Sequence, residues 1–201
     1  MPDPGHVAVF DRIAPVYDDR HGRACAAAHD AVLRYLMGNE VRPGAVLDIG
    51  CGTGRLLRQV GSAWPQAALH GIDPAPRMVE VARGQVPAAG LCVGRAEALP
   101  YPDGSVDLVL STTSFGHWTD QAAGLAEVAR VLRPGGLCLV VEHLPPNPLV
   151  RALYRLAGRY PQLRDAGRML ELVAGAGLRP VCADPIDHGF LFTVASTRSR
   201  R

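Results

Sequence analysis

Residues 46–57 read VLDIGCGTGRLL, an apolar run with one acid that leads directly into glycines 50, 52 and 54. Glycine loses more conformational freedom on folding than other residues, so this cluster indicates that something approaches the backbone too closely for a Cβ. A helix that begins just after the glycines would also offer unpaired N–H groups to that partner. We interpret the stretch as a strand, a ligand-binding loop and the start of a helix; the alternative is a tight turn without a ligand.

Short apolar runs alternate with helical patterns through most of the chain. The predicted strands are residues 45–50, 68–73, 90–96, 106–112 and 135–143. They are apolar nearly throughout, as expected for strands that are covered on both faces of a parallel sheet. The predicted connecting helices are residues 55–64, 75–85 and 119–132. This order predicts right-handed crossovers and an α/β fold with a doubly wound, mostly parallel, Rossmann-like sheet.

The two last apolar runs are separated only by DHG at residues 187–189. So short a link permits only an antiparallel hairpin, which brings the predicted sheet to seven strands. A further helix is predicted over residues 23–38. We predict one domain over residues 1–201, with an N-terminal helical lid segment (1–40), a cofactor-binding core (41–143), a helical insert (144–176) and a C-terminal strand pair and tail (177–201).

Composition excludes several classes of protein. The chain has 201 residues, 48% of them hydrophobic, and its net charge of +2 is too small to indicate binding to nucleic acid or to an anionic membrane. Its five cysteines show neither metal-ligand nor disulfide spacing, so no metal is expected. No apolar run approaches the roughly 20 residues of a membrane helix. We expect a soluble cytoplasmic protein that acts on a small molecule; whether it forms a homodimer is left open.

The glycine spacing bears on the kind of ligand. A dinucleotide fingerprint would place its third glycine at position 55, but that residue is Arg55 and the glycine comes one position early, at Gly54. Asp73 closes the second predicted strand, where a carboxylate can accept hydrogen bonds from both hydroxyls of a ribose. The alternative for Asp73 is the N-cap of the next helix. The combination favours a nucleoside ligand.

Several segments together resemble class I S-adenosylmethionine-dependent methyltransferases, in the small-molecule, type 11 branch that includes ubiquinone and menaquinone biosynthesis enzymes. These segments are FDRIAPVYDD (10–19), VLDIGCGTG (46–54), GIDPAPRMVEVAR (71–83), AEALPYPDGSVDLVLST (96–112) and EVARVLRPGG (127–136). The resemblance covers residues 10–143 well and the last quarter in outline. It implies S-adenosyl-L-methionine as cofactor, with S-adenosyl-L-homocysteine as product.

The resemblance also implies which residues hold the methionine half of the cofactor. The loop that wraps it corresponds to Gly50, Gly52, Thr53 and Gly54. Asp48 matches an acid that is often tied to the amino group through water. Ser111 and Thr112 match positions near the methionine end, and Tyr17 lies where the N-terminal segment of the family can close over the site.

On the nucleoside side, the resemblance assigns Asp73 to the ribose, with Pro74 beside it. Ala96 and Glu97 match positions that contact adenine. Many relatives have an acid or amide where this chain has Arg95, and Arg cannot accept a hydrogen bond. A backbone carbonyl then replaces that acceptor, or adenine is held less specifically; Arg95 is kept as a residue that lines the site.

A general base is needed only if the methyl acceptor must lose a proton. His117, after the fourth strand, and His143, at the end of the fifth, are the candidate catalytic residues, since an ordinary histidine titrates near neutrality. Cys51 lies inside the glycine loop, but we interpret it as a small filler. Apolar side chains in the insert favour an apolar or aromatic acceptor; they are Leu149, Val150, Leu153, Tyr154, Leu156, Tyr160 and Leu163.

The sequence thus predicts a methyltransferase that acts on a small molecule by in-line transfer. One alternative is a protein or cyclase that binds S-adenosylmethionine without transferring its methyl group. A second alternative is a nicotinamide-dependent oxidoreductase, which the short glycine spacing and the absence of any lysine make less favoured.

Overall fold

A seven-stranded sheet flanked by helices forms residues 4–144 and 162–197, the part of the chain that the computed structural model describes. The strands are β1 (Ala45–Ile49), β2 (Ala68–Asp73), β3 (Gly90–Val93), β4 (Val106–Thr112), β5 (Leu132–His143), β6 (Arg179–Ile186) and β7 (Phe190–Ser196). The helices are α1 (Pro4–Ile13), α2 (Tyr17–Gly38), α3 (Arg55–Ala63), α4 (Pro76–Gln85), α5 (Gln121–Val131) and α6 (Ala166–Gly175). Short 3-10 turns lie at Ala14–Val16, Phe115–His117 and Asp187–Gly189.

The strand order is β3-β2-β1-β4-β5-β7-β6. The first five strands in this order pair in parallel, and β7 pairs antiparallel with both β5 and β6. This confirms the predicted doubly wound sheet with its C-terminal hairpin. The chain order reverses between β1 and β4, and in such sheets the ligand crevice opens at the carboxyl ends of the strands on either side of that point.

All five residues of β1 are buried, so this strand is the centre of the core. Because side chains alternate along a strand, Leu47 and Ile49 pack with Leu125 of α5 on one face of the sheet. Val46 packs on the other face, with Val32 of α2 and Leu56 of α3. Helices on both sides therefore fix the position of the carboxyl end of β1.

The N-terminal helices differ from the prediction. Helix α2 begins at Tyr17 rather than at residue 23, and α1 was not predicted. The pattern is hidden because residues 17–22 are mostly polar and end in Gly22, which usually disfavours a helix. In the structure Gly22 is buried and a Cβ there would overlap the Arg55 guanidinium, so the glycine permits a close helix contact.

Strand β5 also begins earlier than predicted, at Leu132 instead of residue 135. Val106 pairs with Leu132 and Leu108 pairs with Leu137, so the RPGG segment (133–136) lies inside β5 as an irregularity of the ladder. Helix α6 lies in the predicted insert 144–176. Residues 145–161 are outside the described residues, and with them all the apolar insert positions except Leu163. Within the described ranges, no helix is long and apolar enough to cross a membrane.

We expect Phe115→Ala to lower the free energy of unfolding by about 3–5 kcal/mol. Phe115 is 1% exposed, and its ring lies 4.8 Å from that of Trp118, centroid to centroid. The neighbouring exposed residue provides the control, because His117→Ala should cost less than about 1 kcal/mol. Urea unfolding of both variants measures this, and equal losses would contradict the packing role of Phe115.

Candidate functional site

At the exit of β1, two half-buried loop residues have left-handed backbone, Gly50 (φ 75°) and Gly52 (φ 52°). A Cβ on Gly50 would overlap the Ser114 side chain, whose hydroxyl donates to the Ile49 carbonyl at 2.8 Å. A Cβ on Gly52 would meet no heavy atom of the described protein within 4 Å. Gly50 is therefore required by packing, whereas Gly52 leaves a bare stretch of main chain against open space.

The carboxylate of Asp73, at the end of β2, holds this loop in place. Its Oδ2 accepts the Gly52 N–H at 2.9 Å, and its Oδ1 accepts the Ala75 N–H at 2.9 Å. Burial raises the pKa of Asp73, and these two N–H groups oppose that rise. A carboxylate has about four acceptor positions, so each oxygen can still accept one hydroxyl of a ribose.

Asp48, in β1, is buried without a full set of partners. The residue is 2% exposed, and its Oδ1 has no hydrogen-bond partner among the described residues. Burial, and then the charge of Asp73, raise the pKa of Asp48 to about 7. A buried acceptor without a donor is costly, so this oxygen is suited to an ammonium group or to a water molecule bound by one.

A cavity with an empty volume of about 400 Å³, partly open to solvent, lies above the β1 exit. Six of the predicted cofactor residues line it: Tyr17, Asp48, Gly50, Gly52, Thr53 and Thr112. The structure thus brings together six of the eight residues that the resemblance assigns to the methionine half; the exceptions are Gly54 and Ser111.

Seven other predicted cofactor residues do not line this cavity. Gly54 packs on α4, where a Cβ would come 3.1 Å from that of Ala82. Ser111 is fully buried, and its Oγ lies 2.7 Å from the Ser114 Oγ. Asp73 holds the loop through the two hydrogen bonds described above and keeps acceptor positions for a ribose. Pro74 beside it is exposed.

The residues predicted to contact adenine mostly make contacts within the protein. Ala96 is 4% exposed and belongs to the core cluster of α5. The Oε1 of Glu97 accepts the Asp120 N–H at 3.0 Å. The side chain of Arg95 is exposed, and its carbonyl accepts the Ala98 N–H at 3.2 Å. Contacts of these residues to adenine stay predictions.

Asp18 is a functional candidate that the sequence reasoning missed. It lines the cavity, its Oδ1 accepts the Thr53 hydroxyl at 2.7 Å, and its Oδ2 accepts the Gln85 amide at 2.9 Å. One carboxylate therefore attaches the start of α2 to both the glycine loop and the end of α4. The contact with Thr53 spans 35 residues of sequence, so no local spacing signals it.

Tyr17 and Thr113 bring a second set of polar groups to the cavity. The Cys25 Sγ lies 3.9 Å from the Tyr17 hydroxyl and 3.8 Å from the Thr113 hydroxyl. Burial raises the pKa of Tyr17, so the phenol stays protonated at neutral pH. Thr113 has φ 51°, a conformation that is uncommon for a non-glycine residue and that clusters at functional sites.

The two candidate bases lie elsewhere. His117 is exposed, and its ring lies 5.7 Å from that of Phe10. His143 stacks on Phe190 at 4.5 Å, and partial burial lowers its pKa. Neither lines the cavity at the β1 exit. The neighbouring buried Glu142 has a structural contact, because its Oε2 accepts the Gly116 N–H at 2.8 Å.

Comparison with known proteins agrees with this geometry. Residues 47–140 match a family model described as a methyltransferase domain. The chain is 36% identical over 163 residues to a demethylmenaquinone methyltransferase of Deinococcus radiodurans, covering 74% of this chain and 64% of that protein. It is 37% identical over 145 residues to a protein of the same name from Thermus thermophilus, covering 69% and 66%. The chain thus spans just under two thirds of the length of these curated relatives.

A solved structure shares the fold. The chain superimposes on a chain of the complex between the Haloferax volcanii Trm112 methyltransferase activator and a methyltransferase, with a TM-score of 0.77, 24% identity, and coverage of 98% and 99% of the two chains. Over residues 47–140 the chain is therefore similar to a methyltransferase domain, and its sheet has the fold of that solved structure. The two curated relatives carry the same name, so the chain is similar to demethylmenaquinone methyltransferases over 74% and 69% of its length.

The residues present fit the methyl donor of this family. Bare main chain at Gly52 offers room for its amino-acid half. The unpartnered Asp48 Oδ1 is suited to its ammonium group, and Asp73 retains acceptor positions for its ribose. These three features surround the exit of one strand pair, β1 and β2.

We expect Gly52→Ala to weaken the binding of S-adenosylhomocysteine by about 5- to 100-fold, because the new Cβ would occupy the space beside the main chain. The loss of folding stability should be only about 1–2 kcal/mol, from the left-handed φ. Gly50→Ala is the matched variant and should instead destabilise the fold, because its Cβ would overlap Ser114. Calorimetric titration and thermal melting separate the two effects, and unchanged affinity in Gly52→Ala would show that no ligand lies there.

Binding of S-adenosylhomocysteine should strengthen by on the order of tenfold between about pH 5.5 and pH 7.5. The pKa of Asp48 is raised to about 7, so its carboxyl is mostly protonated at the lower pH, whereas a cationic ammonium group binds the ionised form. In the ligand-free protein the raised pKa has the opposite effect, because the free energy of unfolding falls as the pH rises from about 4 to 7. Asp48→Asn should flatten both profiles; an affinity independent of pH in the native chain would contradict this role.

Proposed function

We propose that the chain is an S-adenosylmethionine-dependent methyltransferase that acts on a small, apolar or aromatic molecule by in-line methyl transfer. The proposal rests on two neighbouring features: a buried Asp48 oxygen that has no partner among the described residues, and the open main chain at Gly52. The first supplies an acceptor for a cationic amino group, and the second supplies space for the atoms attached to it. A simple structural turn would need neither feature.

The protein residues would mainly orient the reactants and exclude water. The cofactor, when bound, supplies an activated methyl group on a sulfonium, so no enzyme nucleophile is required. Asp73 would hold the ribose while it keeps Gly52 in place, and Asp48 would hold the ammonium group. Fixing one reactant at both ends in this way contributes to catalysis through positioning.

The N-terminal segment would close the site. Asp18 joins α2 to the loop through Thr53, and Tyr17 lines the cavity beside it. Because this contact brings a helix over the β1 exit, it supports the proposed role of residues 1–40 as a lid. Closure would exclude water from the reacting atoms.

Aromatic side chains on the N-terminal side support an apolar or aromatic acceptor. The Phe10 ring lies 6.1 Å from that of Tyr17 and 5.7 Å from that of His117. Rings at tilted and edge-on angles such as these also pack well against another planar, apolar molecule. The curated relatives are named demethylmenaquinone methyltransferases, and demethylmenaquinone is therefore the first acceptor to test.

If the acceptor must lose a proton, His117 and His143 remain our proposed bases. His117 has the stronger case, since it contacts the same ring, Phe10, that lies beside Tyr17. His143 follows the buried Glu142 at the carboxyl end of β5. An acceptor without an acidic proton would need neither residue.

The proposal is tested by calorimetric titration with S-adenosylhomocysteine and with NADH, followed by turnover with demethylmenaquinone. We expect binding of the first ligand only. Asp73→Ala should weaken this binding by about 1–3 kcal/mol, because charge-assisted hydrogen bonds to the ribose are lost. Asp103→Ala, a change at an exposed acid in a loop before β4, is the control and should have no effect.

Two results would contradict the proposal. Binding of NADH without S-adenosylhomocysteine would indicate an oxidoreductase. Binding of S-adenosylmethionine without release of S-adenosylhomocysteine, across demethylmenaquinone and simpler quinols and phenols, would favour the non-methylating alternative. Mass spectrometry of the acceptor, with the methyl group labelled by deuterium, identifies the product directly.

A further inference from the structure

Arg55 is the first residue of α3 and lines the cavity at the β1 exit. It is half-buried, and its guanidinium lies across the α2 backbone at Gly22. The ion pairs found in residues 4–144 and 162–197 join Arg130, Arg133 and Arg168 to acids, and none includes Arg55. A guanidinium is thus held at the cavity wall without a carboxylate partner among those residues.

No other described residue that lines the cavity is positively charged at pH 7. The pKa of His29 is lowered to about 4 by burial and then by the charge of Arg55, so the imidazole is neutral at pH 7. Asp18 already accepts hydrogen bonds from Thr53 and Gln85. Among the described residues that line the cavity, Arg55 therefore supplies the one permanent positive charge.

Arg55 and Asp48 lie on opposite sides of the glycine loop in sequence and line the same cavity. Asp48 provides a buried acceptor with an unpartnered oxygen, and Arg55 provides a planar set of donors. An α-amino acid group carries an ammonium and a carboxylate on one carbon. The two side chains therefore complement both charges of such a group, and guanidinium is well suited to bind a carboxylate through two hydrogen bonds.

We propose that Arg55 binds the α-carboxylate of the methyl donor and so makes the site selective for nucleosides that carry a complete amino acid. The inference rests on the proposed function and adds a specificity residue that the glycine-loop resemblance does not assign. Arg55 would contribute to binding of the methyl donor and would not contact the methyl group that is transferred.

Two other roles of Arg55 give different results in the same experiment. A purely structural role, in which the side chain only packs on Gly22, would affect every ligand of the site alike. A role in binding an anionic methyl acceptor would leave the affinity for the cofactor product unchanged. Paired ligands that differ only in the carboxylate separate all three roles.

The ligands are S-adenosylhomocysteine and S-adenosyl-3-thiopropylamine, which has a hydrogen in place of the carboxylate. Calorimetric titration of the native chain should show a preference of about tenfold or more for the first ligand. Arg55→Ala should lose about tenfold or more in affinity for S-adenosylhomocysteine and less than about twofold for the amine. Arg55→Lys should recover part of the loss, because it keeps the charge but not the paired donors.

Arg58→Ala is the matched control, since Arg58 is on the same helix, α3, and is exposed. It should bind both ligands as the native chain does, and thermal melting should show that each variant is folded. Equal losses for both ligands in Arg55→Ala, or no preference in the native chain, would overturn the inference while the proposed function stands. Failure of the native chain to bind S-adenosylhomocysteine at all would refute both.

Discussion

The hydrogen bond from the Gly52 N–H to the Asp73 carboxylate fixes the shape of the site. It joins the carboxyl end of β1 to that of β2 across 21 residues of sequence. The Gly50 and Cys51 N–H groups add to it by donating to the Ile72 carbonyl at 2.7 and 3.1 Å. The loop is therefore determined by the neighbouring strand, and its bare main chain is available to a ligand before any ligand binds.

The site contains two buried carboxyl groups, and ionising a buried carboxyl group costs free energy. Asp48 and Asp73 are both buried, 2% and 8% exposed, and the charge of Asp73 adds to the burial that raises the pKa of Asp48. Isolated buried carboxylates of this kind are compensated by hydrogen bonds or by cations. Two N–H groups compensate Asp73, whereas the Asp48 Oδ1 has no partner within residues 4–144 and 162–197. The ammonium group of the proposed ligand would be the hydrogen-bond donor for the Asp48 Oδ1.

Much of the sheet could be predicted because its strands are nearly continuous apolar runs separated by clear turn residues. Asp73 could also be predicted from its place at the end of the second apolar run, and Asp48 from the resemblance of the glycine loop to that of the family. Contacts between distant segments could not. The Asp18–Thr53 hydrogen bond and the packing of Arg55 on Gly22 depend on where α2 lies over the loop, which no periodicity encodes. The predicted start of α2 was wrong for the same reason. Gly22 disfavours a helix by its own propensity, but the close contact with Arg55 requires a glycine there.

The most direct test of the account is a crystal structure of the chain with S-adenosylhomocysteine. We expect the homocysteine half to lie along the main chain at Gly50 and Gly52, with its ammonium group hydrogen-bonded to Asp48 directly or through one water. The ribose hydroxyls should be within hydrogen-bond distance of Asp73, whose bond to the Gly52 N–H should persist. A nucleoside bound away from the β1 exit, or a loop that must rearrange and break the Asp73–Gly52 bond to admit it, would contradict the central claim.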